Sequence, residues 1–199
     1  MSAGGRPRSF DDEEVVERAR DIFWQQGYEA TSMRDLGEAL GVLPGSLHAA
    51  FGSKHDLFVR TLRSYAELSS TSVASKLEDA PVLPRLTQIL TDVLVAARAV
   101  PGRGCMLGNS AAELLPEDDE AAGVVRTAFH ELERLIALAL ENAKVSGEIR
   151  ADIDSDAQGA LLVALMQGLH VLARVEDSPL RLRGAIDAAL APLRQEPSS

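Results

Sequence analysis

Residues 33–51 read MRDLGEALGVLPGSLHAAF, and this stretch decides the fold of the N-terminal part of the chain. Two short runs with helical spacing of apolar residues flank Gly41, a residue suited to a tight turn between helices. Ser46 and His48 stand near the start of the second run, where free N–H groups and side chains can meet phosphates and base edges. The pattern predicts a helix-turn-helix, although any pair of antiparallel helices can show it. The predicted inward-facing residues are Leu36, Leu40, Val42, Leu47 and Phe51.

Helices are predicted on both sides of this pair. A first helix covers about residues 11–26, and Thr31 or Ser32 can act as the N-cap of the second. Ser53 and Asp56 have the spacing of a capping box, which opens a fourth helix that extends to about residue 78. Residues 10–58 are therefore predicted to form three short helices with tight joints, followed by a longer one.

Helical periodicity continues through the rest of the chain, without convincing strand alternation. Five more helices are predicted at about residues 84–100, 105–115, 117–146, 155–175 and from 178 onward. The sequence thus predicts an all-α protein of about nine helices. Its predicted parts are a flexible basic arm at residues 1–9, a helix-turn-helix domain at 10–58 and a helical domain at 59–195.

Composition narrows the class of protein. The 199 residues are 46% hydrophobic and only 4% aromatic, which suits a core of packed aliphatic helices. No apolar run approaches the ~20 residues of a membrane span, and the N-terminus has no secretory pattern. The single cysteine, Cys105, excludes an intrachain disulfide, and together these features predict a cytoplasmic protein with no membrane association.

The net charge of −10 is unevenly distributed. Residues 1–64 carry 8 basic and 10 acidic side chains, whereas residues 65–199 carry 12 and 20. Charge interactions are screened beyond about 8–10 Å, so a local basic face suffices for DNA binding. The charge distribution therefore weakens a DNA-binding interpretation but does not exclude it.

Longer stretches carry a resemblance to a known family. Residues 23–36 (FWQQGYEATSMRDL), together with 40–42 (LGV), 45–47 (GSL), 51–54 (FGSK) and 57–58 (LF), resemble the start of a TetR-family transcriptional regulator. The match covers residues 10–62 almost without gaps, while the C-terminal helices agree with that family in number and length. The resemblance implies a homodimer that binds a palindromic double-stranded DNA operator through recognition helices at residues 44–51. It also implies a C-terminal domain that binds a small-molecule effector and dimerises.

The resemblance also assigns DNA-binding roles to individual residues. Arg34 lies where the family touches the DNA backbone or a base, and the basic arm can reach the adjacent minor groove. The base-facing positions are Pro44, Gly45, His48 and Ala49, the phosphate contacts are Thr31, Ser32, Ser46 and Lys54, and the arm residues are Arg6 and Arg8.

Four positions depart from the family pattern. Leu43 stands where the family usually has a Ser or Thr cap, and a leucine cannot cap a helix. His48 replaces the usual Tyr, and Ala49 and Ala50 replace bulkier side chains. The recognition helix is therefore poor in hydrogen-bonding groups. Base readout is expected to rest on His48, Arg34 and apolar contacts to thymine methyl groups.

Candidate effector residues lie on the C-terminal helices. Cys105 follows Arg103 and starts a helix, and both features favour the reactive thiolate form of a cysteine. Some members of the resembled family sense oxidants or electrophiles at a similar cysteine, whereas the plain alternative is a small core residue. The other candidates, each of which could equally be packing or core residues, are Met106, Asn109, Glu113, His130, Met166, Gln167 and His170. No metal-ligand spacing is present, and no cofactor is expected.

The last two helices carry apolar stripes that exceed the needs of a small core. We expect them to form a four-helix dimer interface across a two-fold axis, and the alternative is a core within one chain. The expected dimerisation residues are Leu161, Leu165, Leu169, Leu172, Leu182, Ile186 and Leu190.

The sequence therefore favours a homodimeric, ligand-responsive repressor rather than an enzyme. No phosphate loop, nucleophile elbow or paired ligand motif is present. Three alternatives remain open: a thiol sensor acting through Cys105, a ligand-binding protein with a degenerate helix-turn-helix, and a helical interaction protein.

Overall fold

A computed structural model describes residues 10–78, 81–176 and 178–195, in which α-helices are joined by turns and short loops. The predicted all-α class is confirmed, with nine α-helices in the described segments. Among these helices, none combines the length and apolar character that crossing a membrane requires. The helices are α1 (Asp12–Gln26), α2 (Met33–Leu40), α3 (Pro44–Phe51), α4 (Lys54–Leu77), α5 (Val82–Ala99), α6 (Met106–Leu114), α7 (Asp119–Val145), α8 (Ser155–Leu172) and α9 (Pro179–Leu190), followed by a 3₁₀ turn at Ala191–Leu193.

The chain divides into two compact units whose boundary lies between Tyr65 and Ala66, within α4. This boundary falls a few residues beyond the end of the predicted helix-turn-helix domain. The predicted basic arm at residues 1–9, including Arg6 and Arg8, lies outside the described residues.

Side-chain caps fix where the N-terminal helices begin. Ser32 caps α2 and forms a capping box with Asp35, so Ser32 rather than Thr31 is the N-cap. The predicted box at Ser53 and Asp56 is also present at the start of α4. Hydrogen bonds from the hydroxyl and the N–H group of Ser32 lower the pKa of the Asp35 carboxyl, and those of Ser53 lower the pKa of Asp56. Both caps therefore keep their ionised carboxylates well below neutral pH.

The N-terminal unit is held by an apolar core and by one arginine. Phe23 of α1 meets Phe58 of α4 edge to face, with ring centroids 5.2 Å apart. Leu36 and Leu47 are fully buried in the same unit. Arg18 of α1 donates hydrogen bonds to the carbonyl groups of Ala39 (2.8 Å) and Leu40 (3.3 Å) at the end of α2. A cation thereby satisfies the free carbonyl groups of α2 and ties α1 to it.

The core of the C-terminal unit joins α5, α7, α8 and α9. Helices α7 and α8 approach closely at Gly159, where an added Cβ would lie 2.7 Å from the carbonyl oxygen of Glu133. Fully or nearly fully buried side chains at this core include Leu86, Leu90, Ile136, Leu140 and Leu162.

Four of the expected dimerisation residues belong to this internal core instead. Leu169, Leu182, Ile186 and Leu190 are all 3% exposed or less and pack within the cluster, so their assignment to an exposed interface was wrong. Leu165 is half-buried against the same cluster. Leu161 and Leu172 are 50% and 40% exposed and remain free for another surface. The apolar stripes were correct as buried faces, but sequence periodicity does not say which faces are buried within one chain.

Helix α5 begins at Val82, two positions before the predicted Pro84, because Glu148 caps it from the turn after α7. The Glu148 carboxylate accepts hydrogen bonds from the N–H groups of Val82 (2.8 Å) and Leu83 (3.0 Å). The preceding residue, Pro81, provides no side-chain cap of its own. A carboxylate at a helix N-terminus satisfies free N–H groups and interacts favourably with the helix dipole.

We expect Glu148→Ala to lower the free energy of unfolding by about 1–2 kcal/mol, because two N–H groups of α5 lose a charged acceptor. Glu131→Ala is the matched control, since Glu131 pairs with the exposed Arg134 one turn along the same helix. That substitution should cost at most about 0.5 kcal/mol. Chemical denaturation of both variants measures the two values, and equal losses would contradict the capping role.

Candidate DNA interface

The turn between α2 and α3 has the geometry of a helix-turn-helix. Gly41 adopts the left-handed conformation with φ 69°, and its N–H group donates back to the end of α2. The N–H group of Val42 donates to the carbonyl oxygen of Gly37 at 2.9 Å. Pro44 then occupies the first position of α3, where a missing N–H group costs nothing. The expected role of Gly41 at the tight turn is thereby met.

Gly37 allows α2 and α3 to lie close together. A Cβ at this position would stand 2.8 Å from the carbonyl oxygen of Val42 and 3.1 Å from Cγ of Pro44. The proline ring therefore packs directly over the glycine. This contact fixes α3 against α2, and no local pattern in the sequence indicates it.

The outer face of α3 carries the predicted base-facing residues. Pro44, Gly45, His48 and Ala49 are all exposed, while Leu47 points into the core with 0% exposure. The structure thus places these four positions together on one accessible face. Apart from His48, that face offers no side-chain hydrogen-bonding group.

Two further exposed side chains flank this face. Arg34, in the first turn of α2, has 87% of its side chain exposed, and its Nε lies 4.0 Å from the Asp35 carboxylate. Leu43, which precedes α3 without capping it, is 76% exposed. An open groove of about 330 Å³ runs between them. It is lined by Arg34, Gly37, Glu38, Gly41, Val42, Leu43 and Pro44.

His48 is held by the residue that ends α3. Its Nδ1 atom lies 2.9 Å from the carbonyl oxygen of Gly52, and the N–H group of Gly52 donates to the carbonyl oxygen of His48 at 3.0 Å. A carbonyl oxygen can only accept, so Nδ1 is the protonated nitrogen of the imidazole.

Three of the four expected phosphate-contact residues lie at or near the surface, and the fourth is buried. Lys54 donates from Nζ to the carbonyl oxygen of Tyr28 at 3.0 Å and lies 3.9 Å from the centre of the Tyr28 ring, which positions its charge. Ser32 and Ser46 lie at or near the surface, although the Ser32 hydroxyl is engaged in its capping box. Thr31 is 1% exposed and donates its hydroxyl to the Gly27 carbonyl oxygen at 2.7 Å, so it was wrongly expected at a phosphate.

The expected effector residues are only partly brought together. Cys105, Met106 and Met166 are at most 7% exposed, and Cys105 stands at the N-cap of α6. Glu113 and His130 are exposed, so they do not line an interior site as expected.

Several of the remaining candidates meet near the turn before α6. The Asn109 amide donates to the carbonyl oxygen of Arg103 at 2.8 Å. An added Cβ at Gly108 would lie 2.7 Å from the Gln167 amide oxygen and 3.7 Å from Cβ of Cys105. The Arg174 guanidinium donates to the carbonyl oxygen of Gly102. Sequence reasoning missed Arg174, because its partner lies 72 residues away in the chain.

His170, on the last turn of α8, is a neutral group near neutral pH. Burial, and then the nearby Arg174 charge, lower the pKa of His170 from its usual 6.5 to about 4. The His170 side chain therefore carries no charge there.

Family models match both units. Residues 15–61 match a model described as bacterial regulatory proteins of the tetR family, and residues 82–189 match the tetracyclin repressor-like C-terminal domain. The chain belongs to the TetR family. It is accordingly a transcriptional regulator of the helix-turn-helix type.

Similar TetR-family proteins cover nearly the whole chain. An uncharacterized HTH-type transcriptional regulator of Bacillus subtilis, YezE, is 32% identical over 95% of this chain and 99% of its own. The HTH-type transcriptional repressor ComR of Escherichia coli is 29% identical over 85% of this chain and 82% of its own.

Among solved structures, a cysteine mutant of the TetR-family regulator CifR in complex with 26-bp double-stranded operator DNA gives a TM-score of 0.81 at 29% identity. It covers 95% of this chain and 100% of that protein. The reduced form of E. coli NemR shares the fold, with a TM-score of 0.83 at 18% identity and coverage of 94% of this chain and 98% of that protein.

Two glycines of the TetR helix-turn-helix should respond oppositely to alanine. Gly37→Ala should lower the free energy of unfolding by about 1–3 kcal/mol, because its Cβ collides with the Val42 carbonyl and Pro44. Gly45→Ala meets nothing within 4 Å and should raise it by about 0.5–1 kcal/mol through helix propensity. Thermal unfolding of both variants measures the difference. A Gly37→Ala variant as stable as the parent would refute the close α2–α3 contact.

Proposed function

We propose that this TetR-family protein is a homodimeric cytoplasmic repressor that binds a palindromic operator and leaves it when a small-molecule effector binds. The observation that carries the proposal is the accessible face of α3 beside Arg34, in a chain that matches an operator-bound CifR structure over nearly its full length. Relatives such as ComR are named repressors, which supports repression rather than activation.

On the DNA, α3 enters the major groove and Arg34 contacts the backbone or a base beside it. Pro44, Gly45, His48 and Ala49 face the bases, and this face suits apolar contacts to thymine methyl groups. Lys54, held by Tyr28, contacts a phosphate, and the hydroxyl of Ser46 does so in the first turn of α3. The arm residues Arg6 and Arg8 reach the minor groove.

The dimer forms through the apolar faces that α8 and α9 leave uncovered within one chain. On α8, Leu161, Val171 and Leu172 are 50%, 62% and 40% exposed, and on α9 Leu180 is 73% exposed. Small exposed residues accompany these side chains on α8 and α9 at helical spacing, which permits close approach of a second copy. They are Ala157, Ala160 and Ala164 on α8 and Gly184 and Ala188 on α9.

The effector binds the C-terminal unit near Cys105, Met106, Asn109, Met166 and His170. Met106 and Met166 are apolar, the Asn109 amide is uncharged and His170 is neutral near neutral pH, which favours an uncharged, weakly polar molecule. The effector acts only through different affinities for the DNA-bound and free states, and a typical coupling of ~1–3 kcal/mol weakens DNA binding ~5–150-fold. Helix α4 contributes residues to both units and is the proposed carrier of this coupling.

A thiol sensor is the second candidate. It is favoured by the position of Cys105 at the N-cap of α6. The 6% exposure of Cys105 argues for slow reaction with external reagents, which is why a bound effector is preferred.

The DNA-binding proposal is tested by selecting genomic fragments with the purified protein. We expect a palindrome, and Arg34→Ala should weaken binding to it about tenfold or more, since a specific arginine contact contributes ~1–3 kcal/mol. Arg134→Ala removes the same charge from α7 and should leave affinity nearly unchanged. Sequence-blind, salt-sensitive binding by the parent would mean that the helix-turn-helix is degenerate.

The dimer surface is tested by substituting two exposed alanines, one on α8 and one on α5. Ala164→Glu places a charge in the middle of the exposed α8 stripe, so we expect monomers in sedimentation and loss of operator binding. Ala96→Glu makes the same change on the exposed side of α5 and should remain dimeric. A dimeric Ala164→Glu protein that still binds its operator would place the interface elsewhere.

A further inference from the structure

We propose that His48 sets part of the operator sequence by accepting a hydrogen bond through Nε2 from an exocyclic amino group, either adenine N6 or cytosine N4. This inference rests on the proposed function, because it specifies what α3 recognises once it lies in the major groove.

The exposed surface of α3 has few hydrogen-bonding groups. The helix reads PGSLHAAF, so Ser46 and His48 are its polar side chains. Ser46 is half-buried, whereas His48 is exposed on the same face as Pro44, Gly45 and Ala49. A proline, a glycine and an alanine offer shape and apolar contact but no directional hydrogen bond. Directional readout from the exposed face of α3 therefore falls to the imidazole.

Gly52 orients the imidazole ring of His48. Gly52 adopts φ 81°, a conformation that favours glycine, and its carbonyl oxygen lies 2.9 Å from Nδ1 of His48. The same glycine donates its N–H group to the His48 carbonyl oxygen at 3.0 Å. Side chain and backbone of His48 are thus both bonded to one residue, which restricts rotation of the ring. Nδ1 carries the proton and is occupied, and Nε2 is the ring nitrogen left for DNA.

Nε2 of His48 complements base edges that carry a donor group. In a neutral imidazole protonated on Nδ1, Nε2 is an acceptor. The major groove presents two donor groups, the N6 amino group of adenine and the N4 amino group of cytosine. Guanine O6 and N7, thymine O4 and the phosphate oxygens are acceptors and do not pair with it. The tautomer therefore converts a generic polar position into a preference for one class of base edge.

The test begins with selection from random double-stranded DNA. We compare the full-length protein with His48→Phe, which keeps a planar ring and removes both nitrogens. We expect the parent to require adenine or cytosine at one symmetric pair of positions, and His48→Phe to lose that requirement while it keeps the rest of the palindrome. A palindrome that is identical for both proteins overturns the inference and leaves the proposed function intact. Failure of the parent to select any palindrome overturns both.

Modified bases then distinguish the two amino groups. Replacing the selected adenine by unsubstituted purine, or the selected cytosine by pyrimidin-2-one, removes only the exocyclic amine. Parent affinity should fall about three- to tenfold, the range for one neutral hydrogen bond, and His48→Phe affinity should not change. Equal losses for both proteins overturn the assignment.

A direct measurement of the tautomer completes the test. The ¹⁵N chemical shifts of the labelled His48 ring in the free protein report which nitrogen carries the proton. We expect protonated Nδ1 and unprotonated Nε2, because the contact of Nδ1 with the Gly52 carbonyl oxygen requires a donor at Nδ1. The opposite tautomer would overturn the inference, because Nε2 would then donate rather than accept.

Discussion

The packing of α3 on α2 at Gly37 is the constraint on which the rest of the N-terminal unit depends. Pro44 lies over a position that has no room for a Cβ, and the Val42 N–H group closes the turn on the Gly37 carbonyl oxygen. Arg18 then binds the last carbonyl groups of α2 from α1. Helix α3 is consequently fixed by backbone contacts as well as by its own core residues, so its exposed face keeps one orientation although it is only eight residues long.

The C-terminal unit packs several helices around an aliphatic core with few aromatic residues. Close approach at Gly159 brings the backbones of α7 and α8 together, and aliphatic side chains fill the space toward α5 and α9. Glu148 closes one end by satisfying the first N–H groups of α5. Close backbone contact at Gly159 therefore allows small aliphatic side chains to fill the core between the helices. The Glu148 cap separately fixes the start of α5.

Sequence reasoning predicted the helix order, the turn at Gly41, the cap at Ser53 and the grouping of the α3 surface residues, because each follows from local periodicity or spacing. It failed where a role depends on distant partners. Thr31 was expected at the surface, but its hydroxyl closes the loop after α1. Ile186 and Leu190 were assigned to a dimer surface, and burial within one chain cannot be separated from burial between chains by periodicity. Glu148 and Arg174 act across 66 and 72 residues and left no local signal.

The absence of lysine and arginine from α3 bears on how the protein distributes itself over a genome. Binding to random DNA is driven largely by the release of counterions that basic side chains displace from phosphates. Residues 1–64 carry more acidic than basic side chains, and the recognition helix adds no positive charge to the phosphates around it. Random sequence should therefore retain only a small share of the molecules. A correspondingly larger share of the molecules would be free in solution.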